Sequence, residues 1–581
     1  MSPPLAGGGG DRVAQVLQAH GVRCLYTLCG GHVAPILAAA KARGIRIVDV
    51  RHEASAVFAA DAAARLGAVP GVAVVTAGPG VSNTLTALRN AQLAQSPLVL
   101  IGGAAPTALQ GRGALQDIDQ RPMVAPHVKG CFQARRVADL GPLLVDAFAL
   151  ARERVPGPVF VECPVDLLYD EATIRAWYRE ASARGNSLAE RAQRWYLRRH
   201  AARLFAGSAV PWTPRPRAVV PEEPAPASVE RAAGLLTRAE RPLLLVGSQA
   251  LAAAELADDV AAAVARLGLP VYLSGMARGL LGRDHPLQLR HQRREALRES
   301  DCVLLAGVPC DFRLDYGRHI RGHAKLIAAN RSRRDARLNR RPDVAAIGDA
   351  GRFLKRLATR PGLDLARPAW IDTLRQRDAE REAAIAREAG VAGEGVNPLA
   401  LLREIERIAS EQAVFVADGG DFVATAAYTL RPRSPLGWLD PGVYGTLGVG
   451  GGFALGAALQ RPGSEVWLLW GDGACGFSLV EFDSFVRHGI PVIAIVGNDA
   501  GWTQIAREQV KMLGDDVGTV LARSDYDRVA AALGAEGLQI RSAEEVAPTL
   551  ARAQALARDG RPVLVNAWLA PSAFREGSLS M

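Results

Sequence analysis

The run Gly471-Asp472-Gly473, followed by Gly497-Asn498-Asp499, decides how this chain is read. Between them stand an amphipathic segment, Phe477 to His488, and a short apolar stretch, Pro491-Val-Ile-Ala-Ile-Val496. The first reads as a helix and the second as a strand. Two oxygen-bearing clusters are therefore expected at the carboxyl ends of two strands joined by a helix. An open α/β sheet binds its ligands there. Hard oxygen donors, Asp472 with either Asn498 or Asp499, suit Mg²⁺, which is held by one or two carboxylates plus ligand phosphates. The glycines let backbone N–H groups approach such phosphates closely. Gly-Asp-Gly alone is an ordinary turn. The second polar cluster, 26 residues further on in a strand–helix–strand setting, is what makes it a site.

Far away in sequence, Ile45-Arg-Ile-Val-Asp-Val50 reads as a strand, and Arg51-His52-Glu53 comes after it at the start of a helical pattern. A carboxylate there ordinarily answers the helix dipole. Thr76-Ala-Gly-Pro-Gly80 and Asn83 come next. Arg51 and His52 suit shaping the turn.

Together these stretches resemble the acetolactate synthase-like branch of thiamine-diphosphate (ThDP) enzymes, over nearly the whole chain. By that resemblance, Glu53 matches the activating glutamate, the acid that favours the imino tautomer of the pyrimidine, whose nitrogen deprotonates the thiazolium C2. Cys29-Gly30-Gly31 resembles an early Gly-Gly loop. Gly78-Pro79-Gly80 and Asn83 match the loop against the pyrimidine, and Gln116 an active-site glutamine. Gly420-Asp421 stands where the family has a Gly-Gln contact to diphosphate. Gly445-Thr446-Leu447-Gly448 resembles the segment whose bulky apolar residue props the cofactor into its V shape. The resemblance gives Gly471, Asp472, Gly473 and Ala474 to the diphosphate and metal loop. The family places a second Asn where Asp499 falls here, so Asn498 or Asp499 is the side-chain metal ligand, with a backbone carbonyl at Ala500 or Gly501 next. The stretch that helps seat FAD in true acetolactate synthases is replaced by Leu287-Gln-Leu-Arg-His-Gln-Arg293, which argues against FAD; ADP in the central domain stays open.

The expected fold is α/β, with three doubly wound domains: a pyrimidine-binding domain over 1–170, a helical segment and Pro-rich linker over 171–228, a central domain of degenerate nucleotide-binding type over 229–370, and a diphosphate/Mg-binding domain over 371–581. At 581 residues and 49% hydrophobic content the chain has material for several cores. Between Val210 and Ser228 six prolines make a stiff linker. The segment 171–208 reads as helical, with Trp195, Tyr196, Leu197, Leu204 and Phe205 among many arginines. Such a stripe usually packs on the body; a helix lying against a membrane or an acyl chain is the alternative.

No apolar run approaches a membrane span, and the start lacks the pattern of a signal peptide. The seven cysteines form no CxxC pair, which suits a reducing compartment, hence a cytoplasmic location with peripheral membrane association as a variant. Cys475 suits packing. The formal charge of +10 rests on 69 basic residues of which five are Lys, and no Arg tract alternates with stacking aromatics. A nucleic-acid partner is therefore not expected; anionic CoA thioesters or 2-oxo acids suit the charge equally.

The resemblance implies a homodimer or homotetramer, with Glu53 of one subunit meeting Asp472 of another. It implies a carbon–carbon lyase or carboligase that cleaves a 2-hydroxyacyl-CoA, reversibly, to formyl-CoA and an aldehyde one carbon shorter. Acetolactate synthase chemistry on 2-oxo acids is the alternative. A non-catalytic scaffold or nucleic-acid binder is a third reading, against which Glu53, Asp472 and Gln116 speak together. The tail after the last strand, Ser572-Ala-Phe-Arg-Glu-Gly-Ser578, is expected to fold over the entrance; fraying is the commoner fate of chain ends.

Overall fold

The computed structural model describes residues 8–180, 187–391, 393 and 395–576. Three six-stranded sheets, each wholly parallel, organise the chain. The first holds β1 (Cys24–Leu28), β2 (Arg46–Asp49), β3 (Gly71–Val75), β4 (Leu98–Ala104), β5 (Cys131–Gln133) and β6 (Pro158–Pro164). The second holds β7 (Pro242–Val246), β8 (Val271–Leu273), β9 (Gln288–Leu289), β10 (Cys302–Ala306), β11 (Lys325–Asn330) and β12 (Val344–Ile347). The third holds β13 (Val414–Ala417), β14 (Trp438–Leu439), β15 (Val466–Gly471), β16 (Val492–Asn498), β17 (Glu536–Ile540) and β18 (Val563–Trp568).

Helices cover both faces of such sheets, so the strands read as continuous apolar runs. β3, β4, β6, β15 and β16 are buried at every position. The first sheet runs β2-β1-β3-β4-β6-β5 and the third β14-β13-β15-β16-β18-β17. Counted from each unit's first strand, these two orders are the same. The second, β12-β11-β10-β7-β8-β9, is the common dinucleotide-binding order. By contact density the chain divides into residues 1–220, with the first sheet, and 221–581, with the other two; the division falls inside the proline-rich linker.

Three local expectations change. Phe477–His488 is not one helix: a helix Asp472–Ser478, a 3₁₀ turn Leu479–Glu481 and a helix Phe482–His488 come one after another. The glycine-rich helix Val449–Gln460 packs so closely that a Cβ on Gly451 would lie 2.9 Å from the Glu481 side chain. Ser478 accepts from Gly451 N–H through its hydroxyl at 3.1 Å and leaves helical geometry. Second, β16 runs on through Gly497 and Asn498, because both pair with β18. Third, 171–208 holds two helices, Glu171–Glu180 and Leu188–Leu204, and residues 181–186 lie outside the described set. Among the described residues no helix is long and apolar enough to cross a membrane.

Candidate active site

In the third sheet the chain leaves β13 outward to β14 and returns on the other side to β15. The crevice between the carboxyl ends of β13 and β15 is thus the switch point where such sheets take ligands. Two glycine turns meet there: Gly471 N–H donates to the Gly419 carbonyl at 3.0 Å, and Gly420 sits at φ 111, next to the Gly471 Cα. Asp472 opens the next helix, nearly fully buried. Its Oδ1 accepts from Gly473 N–H at 2.8 Å and its Oδ2 from Gly501 N–H at 3.1 Å. Burial, and then the nearby Asp499 charge, push the Asp472 carboxyl above the usual carboxylate range. Burial pushes Asp499 up as well, with Asp421 adding to it, while hydrogen bonds from Thr503 and Asp472 oppose. Two carboxylates share one buried pocket, an arrangement that a divalent cation relieves.

Asn498 and Asp499 separate clearly. The fully buried Asn498 amide donates to the Ser524 carbonyl at 3.2 Å and to Asn566 Oδ1 at 3.1 Å, and its Oδ1 accepts from Ala500 N–H at 3.3 Å. That side chain ties β16 to β18 and to the chain after it. The Ala500 carbonyl is taken by Leu521 N–H at 2.8 Å.

Asp421 begins the helix Asp421–Thr429 and pairs with Arg507 at 2.8 Å. The acid at this position therefore comes with its own cation. Leu447 lies over Gly419, where any Cβ would meet its Cδ2. Asp418, which carries no motif in the sequence, holds this loop: its Oδ1 accepts from Gly448 N–H at 3.0 Å, and its Oδ2 from Gly450 N–H at 2.7 Å and Trp470 Nε1 at 3.2 Å. Burial pushes the Asp418 carboxyl up to about 7 against those three donors. Gly445 has open space around it, and the Thr446 hydroxyl turns to the Leu447 carbonyl at 3.1 Å. Ala474 and Cys475 are buried, the latter with its thiol raised by burial, so it packs. Gly473 faces the Trp502 ring, which a Cβ would meet at 2.5 Å.

In the first unit Glu53 opens the helix Glu53–Leu66 behind β2, with His52 Nδ1 accepting from Ala54 N–H at 3.0 Å. Glu53 is buried, and its Oε2 accepts from Asn83 Nδ2 at 3.0 Å. The sheet's own switch point, between β1 and β3, has Gly30 against Thr76: a Cβ there would lie 2.4 Å from it, whereas Gly31 has no such neighbour. Gly78, at φ 63, leads into the short helix Pro79–Ser82 and lies against Gln116. Gln116 itself has φ 61. Gly78 N–H donates to Gln120 Oε1 at 2.8 Å, and Gln120 Nε2 reaches the Gly103 carbonyl at 3.0 Å and Glu162 at 3.1 Å. Gln116, Gln120 and Glu162 line one cavity of about 420 Å³. Gln120 and Glu162 were not expected. Glu162 carried a signal, a carboxylate inside an all-buried apolar strand.

Profiles of the thiamine pyrophosphate enzymes match this chain three times: the N-terminal TPP binding domain over residues 8–123, the central domain over 229–357 and the C-terminal TPP binding domain over 418–567. The 2-hydroxyacyl-CoA lyase 2 of Homo sapiens is 49% identical over 99% of this chain and 92% of its own length. That of Caenorhabditis elegans is 48% identical over 99% and 91%. A probable acetolactate synthase of Mycobacterium bovis is 35% identical over 97% and 96%. With its three α/β sheets matched in order, the chain belongs to the thiamine pyrophosphate enzyme family and is an enzyme of that cofactor.

Proposed function

We propose that this enzyme is a ThDP- and Mg²⁺-dependent 2-hydroxyacyl-CoA lyase. The observation that carries the proposal is the 49% identity, across 99% of the chain, to a relative named for that reaction, against 35% to one named for acetolactate synthesis. In the reaction the C1–C2 bond of R–CHOH–CO–SCoA breaks, the hydroxyl proton is lost, C1 gains a hydrogen, and the products are R–CHO and formyl-CoA.

The residues fit the cofactor. Asp472 and Asp499 would hold Mg²⁺, with the Gly501 carbonyl as third ligand, since that of Ala500 is already engaged. The Gly420, Gly471 and Gly473 backbone would admit the diphosphate, and Arg507 would offset the Asp421 charge beside it. Leu447 would support the bend of the cofactor. When bound, ThDP supplies the nucleophilic carbon and holds the electron pair left by bond cleavage. Glu53 would hold a proton at the pyrimidine nitrogen, fixed in place by Asn83. Gln116, on a backbone locked against Gly78, would orient the substrate oxygens. A cavity of about 550 Å³ in the second unit, lined by Arg278, Arg290, Arg293, Arg294 and Arg313, would suit an anionic guest such as CoA. Leu289–Arg293 contributes to its wall. We further propose a homodimer or homotetramer in a reducing cytoplasm, without a nucleic-acid partner; all seven cysteines are free.

Aldehyde release from 2-hydroxyacyl-CoAs tests this. It should need both ThDP and Mg²⁺. Release that persists in the metal- and cofactor-stripped protein would contradict the proposal.

A further inference from the structure

The helices Glu171–Glu180 and Leu188–Leu204 bear two distinct stripes. The inner one is ordinary core. Ile174, Leu204 and Phe205 join the buried cluster of the first unit. A polar lock holds the pair down: Tyr178 Oη donates to Asp166 at 2.6 Å, and Thr107 Oγ1 lies 2.7 Å from His200 Nε2. The outer stripe is left largely uncovered, with Trp177 touching the body through the Tyr169 ring at 4.8 Å. Leu188 is 83% exposed, Trp195 61% and Trp177 41%. Leu188, Ala192, Trp195 and Arg199 fall on one face, four, three and four residues apart.

Basic residues dominate this surface, although Arg175 on the first helix is paired with Glu171 at 2.6 Å. The second helix carries Arg191, Arg194, Arg198, Arg199 and Arg203, and its acid, Glu190, is folded back into the capping box at Ser187. Arg199 lies over the Trp195 ring at 5.3 Å. Between the two helices opens a cleft of about 470 Å³, walled by Arg175, Arg179, Arg194 and Arg198 around Tyr178 and Leu197. An exposed aromatic stripe flanked by arginines is the design of an interfacial helix, with rings at the acyl boundary and guanidinium groups reaching the phosphates.

We propose that this helix pair docks the enzyme on a membrane surface rich in anionic phospholipid, with lipid phosphates seated in the arginine-walled cleft. Charge complementarity selects this occupant: a second copy would bring the same arginines face to face. The surface is independent of the catalytic reading, and the hydrophobic tails of the proposed substrates would gather at such a surface.

The test is flotation of the full-length protein with phosphatidylcholine vesicles, with and without phosphatidylglycerol. Binding is expected with the anionic vesicles alone, and it should fall when salt rises to about 0.5 M, where the screening length is a few ångströms. Trp195→Ser and the double variant Arg194→Glu/Arg198→Glu should each weaken it at least tenfold, with light-scattering mass unchanged. No binding to anionic vesicles, equal binding to both kinds, or binding indifferent to both variants would overturn the proposal. So would a mass change in Trp195→Ser with vesicle binding intact, because the stripe would then join copies of the chain. A raised KM for long-chain substrates with unchanged flotation would assign the cleft to the acyl chain instead and also overturn it.

Discussion

At the scale of single residues, the site depends on buried carboxylates used in three different ways. Asp418 is structural: each of its oxygens faces N–H donors, so an amide must turn its own NH₂ group against one of them. Asp418→Asn should cost about 1–3 kcal/mol, the usual penalty for an unsatisfied buried donor. The pH dependence comes from the raised carboxyl. The folded protein keeps this proton up to about 7, whereas the unfolded chain releases it near 3.8. Between those values the folded state binds more protons, so this group makes stability fall as pH rises, and the effect levels off above about 7. Denaturant midpoints of wild type minus Asp418→Asn across that range should show the slope. A difference independent of pH would contradict it. Asp499 and Asn498 make the second contrast. Asp499→Ala should lose Mg²⁺ binding as Asp472→Ala does, while Asn498→Ala should keep Mg²⁺ affinity and lose stability, because its amide ties strands together. Titration calorimetry beside thermal melts separates the two. Glu53→Gln should preserve folding and ThDP binding and nearly abolish turnover, read by a slowed exchange of the C2 proton in NMR; unchanged exchange removes Glu53 from its role. The sequence left Asn498 and Asp499 tied, because spacing cannot say which of two neighbours at a strand end still belongs to the ladder. Asp418 stayed hidden in it because the residue's partners are backbone N–H groups 30 and 32 residues away.

At the scale of elements, the end of the chain behaves as a latch within the second unit. Phe574 meets the Tyr428 ring edge-on at 6.1 Å, Arg381 lies over Phe574 at 5.2 Å, and Arg575 over Tyr428 at 5.0 Å. Tyr428 also lines the arginine-walled cavity. Residues 577–581, part of the tail expected to fold over the entrance, lie outside the described set. Phe574→Ala should raise KM for a 2-hydroxyacyl-CoA several-fold, with ThDP affinity unchanged. An unmoved KM means that these contacts merely anchor a chain end. The helix predicted over 477–488 shows why element boundaries escape a sequence reading. Its periodicity is sound on either side, but the break at Ser478 is imposed by the neighbouring helix at Gly451. Likewise the aromatic residues of 195–205 are alike in type, and only tertiary placement divides them into a core stripe and an exposed one.

At the scale of the whole molecule, the three-sheet architecture was legible because parallel strands buried on both faces leave unmistakable apolar runs. The identical strand order of the first and third sheets was not, since topology is carried by crossovers rather than by repeated residues. Both sheets offer glycine turns at the same switch point, and in the proposed homodimer Glu53 of one subunit would work with Asp472 of the other. Mixing inactive Glu53→Gln and Asp472→Ala proteins under subunit exchange should then recover about a quarter of the wild-type activity, since half the dimers become mixed and each has one intact site. The most direct test is mass spectrometry of the products formed with ThDP and Mg²⁺ from a 2-hydroxyacyl-CoA and, separately, from pyruvate. Formyl-CoA with an aldehyde one carbon shorter, and no acetolactate, is the predicted result; acetolactate from pyruvate with the acyl-CoA left intact would contradict it.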